Sequence, residues 1–414
     1  MNNAAAKAEK TTRLGPCVLP GQAACPKQVL CVPFLLTFLP INPMLIFKRL
    51  LTPVLALVVS LSAQADSKPI VIGQTYVQTG PLSSLATEPL VGIRAMMNAV
   101  NAAGGIYGSP LELAQMDDAY DAARAEGNVK ALVGKGAVAI LMPIGTTSSI
   151  GALKAANALK VPLVGPYTGA GPVVKFSEYV FPVRISFDEE YGRIVNHLFT
   201  VGFTRLAFAH NDNPGARSAM ESTREFIRQR GSAMTGSVAI KNDASDAEAQ
   251  ALELAKLKPT AIIFSATNAV AAKFIKAYRA SGAEAQFYSF SFLNGQQLQR
   301  DIGPDATGVV VSQVVPYPWN AALPLVLEYQ AAMKKIGASN LSYGSLEGYV
   351  NTKVLVEGLK RAGPNPTPDS VKKGLESFKS LDLGGVFVRY GPGDHQGLTF
   401  SELSMVRKDG GFLR

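Results

Sequence analysis

Residues 145–149 read Gly-Thr-Thr-Ser-Ser, four hydroxyls in a row behind a glycine. The apolar run 137–144 before them has the length of a buried strand. After them, 150–159 sets Ala152, Leu153, Ala156 and Leu159 at helical spacing. A strand that ends in Gly and hydroxyls and then feeds a helix can hold a small anion or polar head group. The first turn of a helix has backbone N–H groups without intrahelical partners, and Thr146, Thr147, Ser148 and Ser149 add donors. Helix capping alone would use the same residue types. Two further strand ends repeat the composition, at Ser83-Ser84 and at Tyr167-Thr168, and that recurrence favours binding over capping.

Residues suited to catalysis are few. His197 falls inside a helical stretch and reads as structural, His210 ends a strand, and His395 lies in a polar turn where exposure is expected. Asp117-Asp118 reads as a loop brace rather than an acid–base pair. The sequence has no nucleophile elbow, no phosphate-cradling Walker loop and no His/Asp/Glu spacing suited to a metal. No cofactor or metal is therefore expected.

The elements around these residues follow from composition and pattern. The chain has 414 residues, 47% of them hydrophobic, enough for two domains with sizeable cores. Its net charge is +9, but Lys7, Lys10, Arg13, Lys27, Lys48 and Arg49 precede residue 66 with one acid, Glu9, leaving a surplus of four, without a basic run, for 66–414. Nucleic acid, which calls for a clustered basic face, is not an expected partner. Cys17, Cys25 and Cys31 also precede residue 66, so the rest of the chain has no disulfide framework, thiolate metal site or cysteine nucleophile. Lys48-Arg49, the apolar stretch 50–61 and Ala63-Gln64-Ala65 read as a signal peptide over 44–65, cleaved after Ala65; 1–43 then look like an overextended start. The apolar stretch is well short of the roughly 20 residues that span a bilayer. A periplasmic location follows.

From residue 69 onward strands and helices alternate. Strands are expected at 69–74, 110–116, 137–144, 161–166 and 180–185, with helices at 89–103, 122–134 and 150–159 between them. The pattern restarts with helices at 187–201, 216–230, 246–257 and 270–281. Strands in this second unit are expected at 205–209, 233–240, 261–264, 287–292 and 308–315. Helices at 323–336, 343–362 and 367–377 and strands at 384–390 and 400–407 close the chain. The fold class is α/β, with two doubly wound parallel units of like size and a cleft between them. Ligands in such sheets bind at the carboxyl ends of the strands.

This succession resembles the leucine/isoleucine/valine-binding protein family, the type I periplasmic substrate-binding proteins of ABC importers. The resemblance covers 69–414 and rests on Gly80-Pro-Leu82, Ala99-Val-Asn-Ala-Ala-Gly-Gly-Ile106 and Asp117-Asp118-Ala119-Tyr120-Asp121. It rests equally on Pro162-Leu-Val-Gly-Pro-Tyr-Thr-Gly-Ala170, Val314-Val-Pro-Tyr-Pro-Trp319 and Ser345-Leu-Glu-Gly-Tyr349. It implies a Venus-flytrap of two lobes joined by a three-stranded hinge, with crossings near 187, 315 and 386. Lobe 1 would comprise 66–187 and 316–385, and lobe 2 would comprise 188–315 and 386–414. It also implies closure on one small molecule and delivery to a membrane permease, by a protein that acts as a monomer and performs no chemistry.

By the same resemblance, a ligand carboxylate falls to Gly145, Thr146, Thr147, Tyr167, Thr168 and Gly169, with Ser83 and Ser84 on the neighbouring loop. Amino-acid-binding members pair the ligand ammonium with a lobe 2 carboxylate, but the matching stretch 289–292, with Ser291 and Phe292, has no acid. Since a buried ammonium without a counter-charge is costly, either Asp212 or Asp188 substitutes or, the favoured expectation, the ligand has no free amine. A family aromatic is also missing near Pro214. Thr267 and Asn268 close a lobe 2 strand, and Tyr167, Phe292, Tyr317 and Trp319 can wall an aromatic or aliphatic acid. Trp319 could instead anchor the hinge. The competing readings are a sensor subunit serving a separate signalling partner and an α/β hydrolase using the Ser/Thr clusters with His210.

Overall fold

The computed structural model describes residues 68–80 and 82–414, so the expected signal peptide and early start lie outside the described residues. Strands β1 (Ile70–Tyr76), β2 (Leu111–Asp117), β3 (Ala139–Leu141), β4 (Leu163–Val164) and β5 (Val180–Phe181) form one parallel sheet in the order β2-β1-β3-β4-β5. Helix α1 (Ser84–Ala102) packs on one face of this sheet. Helices α2 (Ala122–Gly134) and α3 (Thr146–Leu159) pack on the other, with Val129, Leu132, Ala152 and Ala156 meeting Ile140 and Leu163. The short α4 (Gly171–Val174) precedes β5.

Helix α5 (Phe187–Thr200) begins the second unit with a capping box, Ser186 and Glu189 satisfying each other's backbone N–H. The next elements are β6 (Leu206–Asn211), α6 (Pro214–Gln229), β7 (Gly236–Ile240), α7 (Ala247–Lys256), β8 (Ala261–Ser265), α8 (Asn268–Ala280), β9 (Gln286–Ser289), α9 (Gly295–Ile302) and β10 (Val310–Gln313). Their parallel strands run β7-β6-β8-β9-β10, the same order as in the first sheet. Both faces are again covered, by α7, α8 and α9 on one side and α5 and α6 on the other. Each sheet reverses its winding once, between β1 and β3 and between β6 and β8, and ligand crevices open at such switch points.

Helices α10 (Pro324–Lys335), α11 (Tyr343–Ala362) and α12 (Pro368–Glu376) return to the first unit, where Leu346, Tyr349, Val350 and Leu355 complete its core. Strands β11 (Leu381–Asp382), β12 (Phe387–Gly391) and β13 (Asp394–Leu398) form a small antiparallel sheet; β14 (Glu402–Val406) extends the second sheet antiparallel to β10, and β15 (Phe412–Leu413) pairs antiparallel to β14 at its edge. The third crossing was expected near 386; it falls instead after Leu398. Val386, Val388, Tyr390 and Leu398 bury their side chains in the first unit's core, and the Leu398 N–H donates to the Val183 carbonyl at 2.7 Å. The chain passes between the two sheets after β5, over 182–186, and again after β10, over 314–323. Among the described residues no helix is long and apolar enough to cross a membrane.

Most expected elements are present with shorter strands. Helices α4 and α9 and strands β11, β13 and β15 were not expected, and four helices begin earlier than their apolar periodicity, most of all α1, at Ser84 rather than 89 and with Pro89 inside it, and α3, at Thr146 rather than 150. The hydroxyl cluster is therefore the first turn of α3, not a loop before it.

Candidate ligand-binding site

The β1/β3 switch point sets Gly145 at the start of α3. Gly145 has φ +84°, and a Cβ there would come 2.5 Å from Tyr120 Cε2, so the chain turns under the Tyr120 ring only with glycine. No side chain caps α3. The Thr146 and Thr168 hydroxyls lie 2.8 Å apart, joining α3 to the loop after β4. That loop is registered by bonds from Tyr167 N–H to Pro143 O (2.9 Å) and from Gly145 N–H to Tyr167 O (3.2 Å). Gly145, Thr146, Thr147, Tyr167 and Thr168 are thus brought together. Ser83 and Ser84 start α1, also without a side-chain cap, at the same sheet edge. Gly169 has another role: its carbonyl accepts from Phe187 N–H at 2.8 Å, and a Cβ would meet that nitrogen at 2.7 Å, so it seats the first crossing.

Asp117 and Asp118 organise these loops. Partial burial pushes the Asp117 carboxyl up, but the Thr79 hydroxyl and the N–H groups of Ala119, Gln78 and Thr79 hold it down at about 2. Asp118 is fully buried and raised by that burial; it accepts from Thr75 and Ser148 hydroxyls, each at 2.8 Å. Ser148 is therefore spent on the brace, and Ser149 donates to Pro143 O at 3.3 Å.

The floor between the two sheets carries charges that no motif announced. Arg184, on the first crossing, has a side chain only 4% exposed. Its Nη2 lies 3.1 Å from Glu190 Oε1 on α5, and its Nη1 lies 3.4 Å from Glu347 Oε1 on α11. Its guanidinium sits over the Phe187 ring at 5.3 Å and the Tyr167 ring at 5.9 Å. Glu190 also accepts from the Ser291 N–H (2.9 Å) and hydroxyl (2.8 Å), and Arg184 donates to that hydroxyl. Burial pushes both acids up. It takes Glu347 to about 7 against the pull of Arg184, with Glu190 adding to the rise. Glu88 on α1 meets the second unit directly, its Oε1 accepting from Asn294 Nδ2 at 3.0 Å.

Position 291 is thus not left without an acid: Ser291 presents donors to Glu190, which arrives from another element. The expectation that the ligand lacks an amine rested on that missing charge. The substitutes named for it do not reach the cleft floor. Asp188 is exposed, and Asp212 is exposed, pairs with Arg217 at 2.9 Å and lines an open hollow of about 450 Å³ with Pro214 and Glu221. Thr267 N–H donates to Asn211 Oδ1 (2.8 Å), and Asn268 exchanges hydrogen bonds with the Asn294 backbone, so these two brace second-unit loops. Phe292 stacks on Phe290, which meets Phe187 edge-on beside Arg184.

Tyr317 and Trp319 cluster with Tyr343 and with Phe412 of the last strand; the Trp319 ring stacks 5.7 Å from Phe412, and Arg414 lies over Tyr317. They wall the second crossing. His210 is buried, its Nδ1 2.8 Å from the Asn211 carbonyl. His395 corrects the expectation of exposure: it is buried, stacked on Phe181 at 4.0 Å, with Nδ1 2.7 Å from Val180 O, because β13 lies against β5. Among the described residues no group of His, Cys, Asp and Glu could hold a metal ion.

Two α/β units with one shared strand order, linked by three passages of chain, are the architecture of a two-lobed periplasmic binding protein. Residues 69–411 match the family described as periplasmic binding protein, and the chain belongs to that family. A possible leucine/isoleucine/valine-binding protein from Rhodopirellula baltica is 27% identical, with 85% of this chain and 98% of that chain covered and a TM-score of 0.78. A substrate-binding periplasmic protein from Ralstonia solanacearum is 28% identical, covering 83% of this chain and 99% of that one, with a TM-score of 0.76. A branched chain amino acid ABC transporter protein from Thermus thermophilus, solved with bound valine, shares the fold (TM-score 0.75, 84% and 95% covered) at 14% identity. A search of curated proteins gave no match.

Proposed function

We propose that this protein is the periplasmic substrate-binding component of an ABC importer and captures one small carboxylate or amino-acid-like solute between its lobes for a membrane permease. The observation that carries this reading is the uncapped start of α3 at the β1/β3 switch point, where the Thr146 and Thr168 hydroxyls pair at 2.8 Å. Free N–H groups, the positive end of the helix and two hydroxyls match a carboxylate. Closure of the lobes excludes water, so a few such bonds hold a ligand firmly. Binding by closure within one chain requires only a monomer, and none of the supporting residues forms a nucleophile–base pair.

A thermal-shift screen of the purified protein tests the reading. The panel holds branched, aromatic and small amino acids together with their 2-hydroxy and deaminated counterparts. A ligand at a hundred times its dissociation constant adds about 2.7 kcal/mol of stability. A panel that produces no shift, with the protein folded, would reject this ligand class.

A further inference from the structure

Charged groups stand where the first unit meets the second. Glu88 Oε1 on α1 accepts from Asn294 Nδ2, beyond β9, at 3.0 Å. Arg184, on the first passage between the sheets, reaches Glu190 of α5 with Nη2 and turns Nη1 towards Glu347 of α11. The two carboxylates are not equivalent. Glu190 accepts from Arg184, from the Ser291 N–H and from the Ser291 hydroxyl, and such donors suit an ionised acid. Glu347 is 5% exposed, and its Oε1 accepts no hydrogen bond, with Arg184 Nη1 3.4 Å away. Packing beside it is close. A Cβ on Gly344, one turn earlier, would stand 2.7 Å from Glu88 Oε2 and 3.4 Å from Tyr167 Oη. Two ionised carboxylates against one guanidinium leave the contact one negative charge in excess, and a buried unpaired charge is costly. A proton on Glu347 removes the excess and leaves one cation facing one anion.

We propose that these groups form a proton-dependent latch between the lobes, which holds the ligand-free protein closed while Glu347 is protonated and releases it when that proton is lost. The latch goes beyond the capture of a solute, and it rests on the lobe movement which that reading invokes. Parting the lobes carries Glu190, Ser291 and Asn294 away from Glu347 and Glu88 and lets water reach Glu347, which then titrates as an ordinary carboxylate. In the closed arrangement burial pushes Glu347 up to about 7, against the pull of Arg184 and with Glu190 adding to the rise. The closed form therefore binds this proton more tightly than the open form. Its advantage is complete below about pH 4.5 and is lost as pH rises through about 7. The groups facing Glu347 are Arg184 from the first passage, Glu190 from α5 and Tyr167 from the loop after β4, with Glu88 of α1 beside that phenol. Arg184 stays charged and Tyr167 neutral throughout this range, and burial raises Glu190 against the pull of Arg184 and the Ser291 donors.

Small-angle X-ray scattering of the purified, ligand-free protein tests the latch. A Glu347 that titrates near 7 when closed and near 4.5 when open makes the closing equilibrium about 30-fold more favourable at about pH 5.5 than at about pH 8.5. The radius of gyration should therefore fall on acidification and recover on return, with circular dichroism unchanged. Glu347→Gln, uncharged at either pH, should give the compact form at both. A radius that does not change with pH overturns the latch and leaves solute capture standing. So does a Glu347→Gln protein that keeps the pH response or stays extended at both values. No ligand enters the measurement, so a compound panel that fails to bind would reject the ligand class without touching this result.

Discussion

Arg184 works by being shared: one nitrogen faces the acid of each lobe, and its guanidinium lies near the Tyr167 and Phe187 rings. Removing it leaves two buried carboxylates confronting each other. Arg184→Met is expected to cost about 3–5 kcal/mol at pH 7, as for other broken buried ion pairs, and less at pH 5, where the acids take up protons; urea unfolding at the two pH values checks this. Glu347 makes an opposite statement about acidity. Its native value of about 7 lies above the ordinary 4.5, so the folded state holds the proton more tightly. Its contribution is complete below about pH 4.5 and fades as pH rises to 7, a loss of about 3 kcal/mol that Glu347→Gln should abolish from the stability–pH curve. At the carboxylate end, Thr168→Val removes the partner of the Thr146 hydroxyl and should weaken ligand binding about 10-fold, with unfolding midpoints little changed if the bond serves the ligand. The hydroxyl loops could be read from the sequence because an apolar strand delivers them. The charged floor could not. Asp188, Glu189 and Glu190 stand together in the first turn of α5, where any acid suits the helix dipole, and only the turn angle decides that Glu190 points inward while Glu189 closes the capping box. Arg184 and Glu347 are far apart in the chain, so their meeting is a fact of tertiary structure alone.

At the scale of elements, α1 and α11 cross in close contact in the first lobe. A Cβ on Gly92 would run into the Ser345 carbonyl, and one on Gly348 would run into the Pro89 carbonyl, so the two helices approach backbone to backbone at reciprocal points. Gly92→Ala should therefore force α11, and with it Glu347, away from the sheet. We expect a loss of about 3 kcal/mol or more in denaturant unfolding, together with weakened ligand binding. Parallel strands were legible as buried apolar runs bounded by glycine, and their order repeats because each unit is wound alike. The return of α10, α11 and α12 to the first sheet was not legible in hydrophobic pattern, which tells a helix to bury a face but not against which sheet. The β12–β13 pair misled for a related reason. Its alternation is that of any half-buried hairpin, and it is tertiary packing, of Tyr390 on Phe181 and Phe378 together with Val388, His395 and Leu398, that ties it to the first lobe and moves the last crossing beyond Leu398.

For the molecule as a whole, three short passages of chain carry the relation between lobes, and one of them holds the single tryptophan, Trp319. Its ring rests on Tyr343 from the first lobe's α11 and on Phe412 from the second lobe's last strand. Closure on a ligand should shift Trp319 emission saturably, with the midpoint equal to the calorimetric dissociation constant. Trp319→Phe should lose the signal while still binding; binding heat without any emission change would argue against movement at this crossing. The same weaving bears on how the molecule is made. The first lobe waits for residues up to 398 to close its core, and the second waits for 402–413 to finish its sheet. While a ribosome still covers the C-terminal residues, neither half has all its parts, so the nascent polypeptide emerges without a finished domain. The connectivity that links the two units three times thereby also postpones completion of either core until synthesis is nearly over.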